Sequence, residues 1–227
     1  MNSQTRRFLL QGPVGSIEAL EDLPALPAGR APRGVAVIAH PHPLFAGTMD
    51  NKVVQTLARA FVQCGWRAVR FNFRGVGATQ GVHDAGRGEL DDLLAVIDNV
   101  TDPKTAGLPP GHGVPLALAG FSFGSFVISH ALAALGPQRA PRSLVLVGTA
   151  ATRFVVADVP VDLHLRTLVL HGEQDDTVPL SDVMNWARPQ TLPVTVIPGG
   201  THFFHGQLPL LRSLVVRHLH ADVSPLP

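Results

Sequence analysis

From residue 34 onward the chain alternates short apolar runs, each ending in glycine or a polar turn, with longer segments of helical spacing. "GVAVIAH" (34–40) and "RAVRFNF" (67–73) read as strands; between them "NKVVQTLARAFVQCG" (51–65) sets Val54, Leu57, Ala58 and Phe61 on one helical face. The alternation continues through "VPLALAGFS" (114–122), "SLVLVGTA" (143–150), "RTLVLHGE" (166–173) and "TLPVTVIPG" (191–199). Their almost unbroken apolar character is that of central strands covered on both faces. Helices are expected over 87–100, 124–136, 179–188 and 207–221. Such alternation predicts an α/β fold, a mostly parallel sheet with helices on both faces. "RRFLLQ" and "SIEALEDL", joined through Gly12, Pro13, Val14 and Gly15, read instead as an antiparallel hairpin at one edge, for about eight strands in all. The Pro/Gly-rich loops 24–34 and 102–115 are too short to separate domains, so residues 1–227 are expected to form a single domain.

Composition narrows the possibilities. A chain of 227 residues, 45% hydrophobic and 15% charged, suits one unit with a sizeable core. With a net charge of +1 and scattered Lys and Arg, no basic face for nucleic acid or anionic lipid is signalled. The single cysteine, Cys64, excludes an internal disulfide framework and a cysteine-based zinc cluster. The opening "TRRFLLQGPVG" superficially resembles a twin-arginine signal, but its apolar run is broken at once by Gln11, Gly12 and Pro13. No apolar run approaches the roughly 18 residues of a membrane span. A cytoplasmic protein without a membrane partner is expected.

The candidate chemistry begins at "GFSFG" (120–124). If 114–121 is a strand and 124–136 a helix, Ser122 lies at a reversal with almost no residues to make it. That turn needs small neighbours, supplied by Gly120 and Gly124, and lifts the hydroxyl above the carboxyl edge of the sheet, where open α/β sheets bind ligands. The helix beginning just after it faces the hydroxyl with unpaired amides, so the Phe123 amide is placed to stabilise an oxyanion. Alone, the pentapeptide arises readily by chance; its strand-turn-helix setting gives it meaning.

A serine hydroxyl is a poor nucleophile at neutral pH and needs a histidine base oriented by a carboxylate. "LVLHGEQDDTVP" carries Asp175 and Asp176 past one strand, and "VIPGGTHFFHG" carries His202 and His205 past the last. Asp175 is preferred because it lies inside the turn, while Asp176 is placed to cap the helix near Pro179. His202 is preferred because it follows its strand directly, whereas His205 is nearer the next helix.

"PHPLFAGTMDNKVVQTLARAF", "RFNFRGVGATQG", "GFSFG", "HGEQDDTVP" and "GGTHFFHG", in that order, resemble the α/β-hydrolase superfamily from about Arg33 to Leu219, in a small bacterial-type branch of serine hydrolases without a lid. The resemblance implies the α/β-hydrolase fold, with Ser122 as nucleophile, Asp175 as acid and His202 as base. It also implies that the glycine-rich turn after the fourth strand is architectural. The chain departs from the common His-Gly pattern after the third strand, where it has His40-Pro41-His42-Pro43-Leu44-Phe45. Proline has no amide hydrogen, so the second oxyanion donor must come from His42, Leu44 or Phe45, with Leu44 favoured.

His40 and His42 with His202 and His205 lack the carboxylate or cysteine that would complete a zinc site, so neither metal nor cofactor is expected. Arg70, Arg74, Lys52 and Asp50 are expected to hold loops together. Only about fifteen residues separate "LVLVGTA" from "RTLVLHG", little room for a lid. These features predict a serine hydrolase that cleaves small-molecule carboxylic esters, with short acyl groups, through an acyl-enzyme on Ser122. The alternatives are a thioesterase or acyltransferase with the same triad, or a binding module without turnover. Oligomeric state is not legible here.

Overall fold

The computed structural model describes residues 5–103 and 113–221. Eight strands form one sheet: β1 (Thr5–Gly12), β2 (Gly15–Asp22), β3 (Val35–Ala39), β4 (Arg67–Phe71), β5 (Leu116–Phe121), β6 (Ser143–Val147), β7 (Thr167–Gly172) and β8 (Val194–Ile197), in the order β1-β2-β4-β3-β5-β6-β7-β8. Strands β1 and β2 form the expected antiparallel hairpin, β2 joins β4 antiparallel, and every pairing from β4 to β8 is parallel.

Five α-helices accompany the sheet among the described residues: α1 (Lys52–Gln63), α2 (Arg87–Thr101), α3 (Phe123–Leu135), α4 (Leu180–Ala187) and α5 (Leu208–Ala221). From β3 the chain steps through α1 to β4, then returns through α2 past β3 to β5 and continues in that direction. Because parallel crossovers are right-handed, reversing the direction of travel moves the helix to the opposite face. Accordingly α1 packs against α5, and α2 against α3. The strands alternate to serve both layers. Ala36 and Ile38 meet α1 residues Val54, Leu57 and Phe61 and α5 residues Leu211 and Val215. Val35 and Val37 join the opposite core with Val96 of α2, Val127 of α3 and Val183 of α4. The reversal falls at β3 and β5, and the carboxyl ends of these strands open the crevice where α/β sheets bind ligands.

Two strands end sooner than their apolar runs. Strand β6 stops at Val147, where Gly148 takes φ 53°, and β4 stops at Phe71, before Asn72, whose backbone and side-chain amides both donate to Glu18. The turn that follows β4 is held by Arg74, whose Nε and Nη2 donate to the carboxylate of buried Asp92 at 2.9 and 2.8 Å. Arg70 likewise binds Asp22, Asp50 and the Met49 carbonyl, tying loops together as expected. Among the described residues, no helix is long and apolar enough to cross a membrane.

Candidate active site

Ser122 occupies the step between β5 and α3 with φ 55° and ψ −117°. A residue with a Cβ pays of order 1–3 kcal/mol to stay in such a conformation, so the surroundings must hold it. Its N–H donates to the Val147 carbonyl at 2.8 Å, and its own carbonyl accepts from Ser125 at 3.0 Å. A Cβ on Gly120 would stand 2.6 Å from the Gly124 carbonyl carbon, and one on Gly124 would stand 2.4 Å from the Ala39 carbonyl oxygen. Both glycines are therefore demanded by backbone approach, and the second seats α3 against the end of β3.

The loops after β7 and β8 carry the other two groups and are laced to one another. Gln174 N–H donates to the Gly200 carbonyl at 2.8 Å, and a Cβ on Gly172 would lie 2.3 Å from that same oxygen. This close approach brings Asp175 to His202: Asp175 Oδ2 accepts from His202 Nδ1 at 2.7 Å. His202 Nε2 lies 3.1 Å from Ser122 Oγ. All three side chains are almost fully buried. The His202 ring is backed by Phe121 at 4.9 Å, and Gly148 approaches its Cε1 so closely that a Cβ there would sit 3.3 Å away.

Asp175 is fixed on its other side as well. Its Oδ1 accepts the Thr177 amide at 3.0 Å and the Val178 amide at 2.7 Å. Burial pushes its pKa up, but the hydrogen bond and charge of His202, the Val178 amide and the charge of His171 outweigh burial and hold the carboxyl below its ordinary value. Asp176 is exposed and does not cap α4, whose N-cap is Pro179 without a side-chain bond. The expected capping fails because Asp175 itself ties the turn. His205 is exposed and lies outside the constellation.

His171 went unnoticed in the sequence. It is fully buried at the end of β7, where its Nε2 donates to the Val178 carbonyl at 2.9 Å and lies 3.6 Å from Asp175 Oδ2. Burial lowers its pKa, with the Val178 carbonyl and Asp175 opposing, and keeps it neutral. Its signal was a lone polar residue inside an apolar strand.

The loop after β3 forms a 3-10 turn over Pro43–Phe45. Leu44, favoured in sequence as the second oxyanion donor, has its amide engaged in this turn: it donates to His42 Nδ1 at 3.2 Å, and its side chain is exposed. The Phe45 amide is equally engaged, with the His42 carbonyl at 3.1 Å. The backbone amides of His42 and Phe123 have no hydrogen-bond partner among the described residues. His40 is structural: its Nδ1 donates to the Pro41 carbonyl and its Nε2 accepts the Phe73 amide at 3.0 Å, joining the ends of β3 and β4. Among the described residues no group of three His, Cys, Asp or Glu side chains is placed to hold a metal ion.

Beside Ser122 opens a small cavity of about 50 Å³, lined among others by His42, Phe123, Ala150, Phe154 and Val178. Arg153 stands at it with its guanidinium over the Phe45 ring, 5.6 Å from the centroid.

No family model matches the chain. It is 30% identical over 217 residues to the uncharacterized protein RP471 of Rickettsia prowazekii, covering 87% of this chain and 82% of that protein. Among solved structures, XC6422 from Xanthomonas campestris, described as an α/β serine hydrolase without a lid, is 33% identical with a TM-score of 0.83, covering 100% of this chain and 99% of that one. An α/β serine hydrolase homologue from Coxiella burnetii is 37% identical with a TM-score of 0.76, covering 94% and 97% respectively. By fold, by these relatives and by the strained serine turn, the chain belongs to the α/β serine hydrolases, in the branch that carries no lid.

Proposed function

We propose that this hydrolase cleaves carboxylic esters with short acyl groups through an acyl-enzyme on Ser122. The observation that carries the reading is the hydrogen-bonded line from Asp175 through His202 to Ser122, running beside the unpaired Phe123 amide. In this reading the Asp175 carboxylate keeps the His202 proton on Nδ1, leaving Nε2 free to accept the Ser122 proton as Oγ attacks the ester carbonyl. The developing oxyanion takes hydrogen bonds from the Phe123 amide and from the His42 amide, the latter replacing Leu44 because the Leu44 N–H is committed to His42 Nδ1. His202 then returns the proton to the departing alcohol, and water repeats the sequence to free the acid.

The cavity of about 50 Å³ supports a short acyl group. A thioesterase would use the same three groups, so the two readings are separated by substrate. The test is kcat/KM on p-nitrophenyl butyrate and butyryl-CoA, measured side by side with wild type and Ser122→Ala. Efficient ester cleavage that disappears in the variant upholds the proposal; a strong preference for the thioester assigns thioesterase chemistry, and undiminished activity in the variant removes Ser122 from its role.

A further inference from the structure

The His42 side chain has no role in the mechanism above, yet its ring forms part of the wall of the cavity that holds Ser122. It is clamped by four rings: Phe45 at 4.9 Å, His83 at 4.8 Å, Phe123 at 4.8 Å and Phe154 at 5.8 Å between centroids. His83 sits in turn against fully buried Glu89, its Nδ1 lying 2.7 Å from Oε1 without the angle of a hydrogen bond, while Glu89 accepts the amides of Asp84 and Gly86. The ring of His42 is thus held in place by packing on a chain of fixed groups.

Its protonation follows from one bond. The Leu44 amide can only donate, so the His42 Nδ1 that receives it at 3.2 Å is an acceptor and the ring proton resides on Nε2. Burial and the neighbouring His83 lower the pKa of this ring, as does Arg153, while Glu89 opposes them, so the neutral form is favoured. Nε2 then carries a hydrogen and has no hydrogen-bond partner among the described residues. The cavity that this ring lines carries Phe123, Ala150, Phe154 and Val178 together with the polar Thr152, Arg153 and Thr177, and a ring N–H left without a partner at its wall calls for an acceptor in whatever fills it.

We infer that His42 is a substrate-binding residue whose Nε2–H donates to an oxygen in the acyl portion of the ester, selecting acyl groups that carry an acceptor near the reacting carbonyl over purely hydrocarbon ones. This rests on the proposed ester chemistry at Ser122 and adds to it the class of acyl group.

Methoxyacetate and butyrate p-nitrophenyl esters test it, because the two acyl chains match in length and differ by an ether oxygen in place of a methylene. Their intrinsic reactivities differ, so the quantity read is the ratio of kcat/KM values, normalised by the ratio for hydroxide ion. In wild type the normalised ratio is expected to favour methoxyacetate by about tenfold, the weight of one hydrogen bond. His42→Leu should bring the ratio close to one, and His42→Gln, which keeps an N–H at the same reach, should restore most of the preference. A merely structural role would lower both rates together and leave the ratio unchanged.

A wild-type ratio near one overturns the inference, as does a ratio that His42→Leu leaves intact; if His42→Leu fails to fold, the wild-type ratio and His42→Gln decide. Ser122→Ala run in parallel separates the two levels. Loss of both activities in Ser122→Ala with an unchanged ratio in His42→Leu removes only this inference. Survival of both activities in Ser122→Ala removes the ester mechanism and this inference with it.

Discussion

Asp175 divides its two carboxylate oxygens between two tasks: Oδ2 binds His202 at 2.7 Å, while Oδ1 takes the Thr177 and Val178 amides at 3.0 and 2.7 Å. The same group therefore orients the ring and closes the turn that carries it. Asn at this position keeps an oxygen for one task only. Asp175→Asn is expected to lower kcat about 10³- to 10⁴-fold, the size that follows when the orienting carboxylate of a triad is lost. Asp176→Asn should stay within about twofold of wild type, since that side chain is exposed and outside the line. Steady-state rates with far-UV circular dichroism as a folding control check both.

The sharp turn at Ser122 predicts a stability cost next to it. A Cβ on Gly124 would fall 2.4 Å from the Ala39 carbonyl oxygen, backbone that cannot swing aside. Gly124→Ala should lose about 2 kcal/mol or more by overpacking, read from the urea midpoint at unchanged slope. Gly113→Ala, where a Cβ meets nothing within 4 Å, is the matched control and should be near neutral.

The ion pair of Arg74 and Asp92 is buried, with Asp92 fully so. Asp92→Leu leaves a guanidinium stranded in the core and should cost about 3–5 kcal/mol. Adding Arg74→Leu removes the stranded charge, so the double variant should recover part of that loss. Denaturant unfolding of the three proteins measures it.

Acid should weaken the fold through His40. Burial lowers its pKa, aided by His42 and opposed by the Pro41 carbonyl, from 6.5 to about 4. Between those values the unfolded chain binds a proton that the folded one refuses, so stability falls as pH drops through this window. The shift corresponds to about 3 kcal/mol at its lower end. His40→Asn should be less stable at pH 7, having lost one or both ring hydrogen bonds, but its stability should fall less between pH 7 and pH 4.5. Urea titrations at the two pH values give the comparison.

The sheet and its helices were legible because each central strand is buried on both faces and so reads as an apolar run, while α1 shows its inward face at helical spacing. The sharp turn at Ser122 was legible because Gly120, Ser122 and Gly124 fall within five consecutive residues. Strand ends were less so: "SLVLVGTA" continues apolar past the point where Gly148 turns the chain. The engagement of the Leu44 amide was illegible for a similar reason. Which amide of a proline-rich loop is free depends on a bond between Leu44 and the His42 ring two residues away, and spacing carries no trace of ring orientation. His171 beside Asp175, and the support of His42 by His83 and Glu89, join residues from separate elements and leave no local pattern.

The proposed mechanism stands or falls on acylation of Ser122. Labelling the folded protein with a fluorophosphonate and locating the adduct by peptide mass spectrometry tests this without knowledge of the natural substrate. A single adduct on Ser122, absent from Ser122→Ala and strongly slowed in His202→Ala, is the expected result. Labelling at a different residue, or a wild-type protein that stays unlabelled while folded, would remove Ser122 from its proposed role.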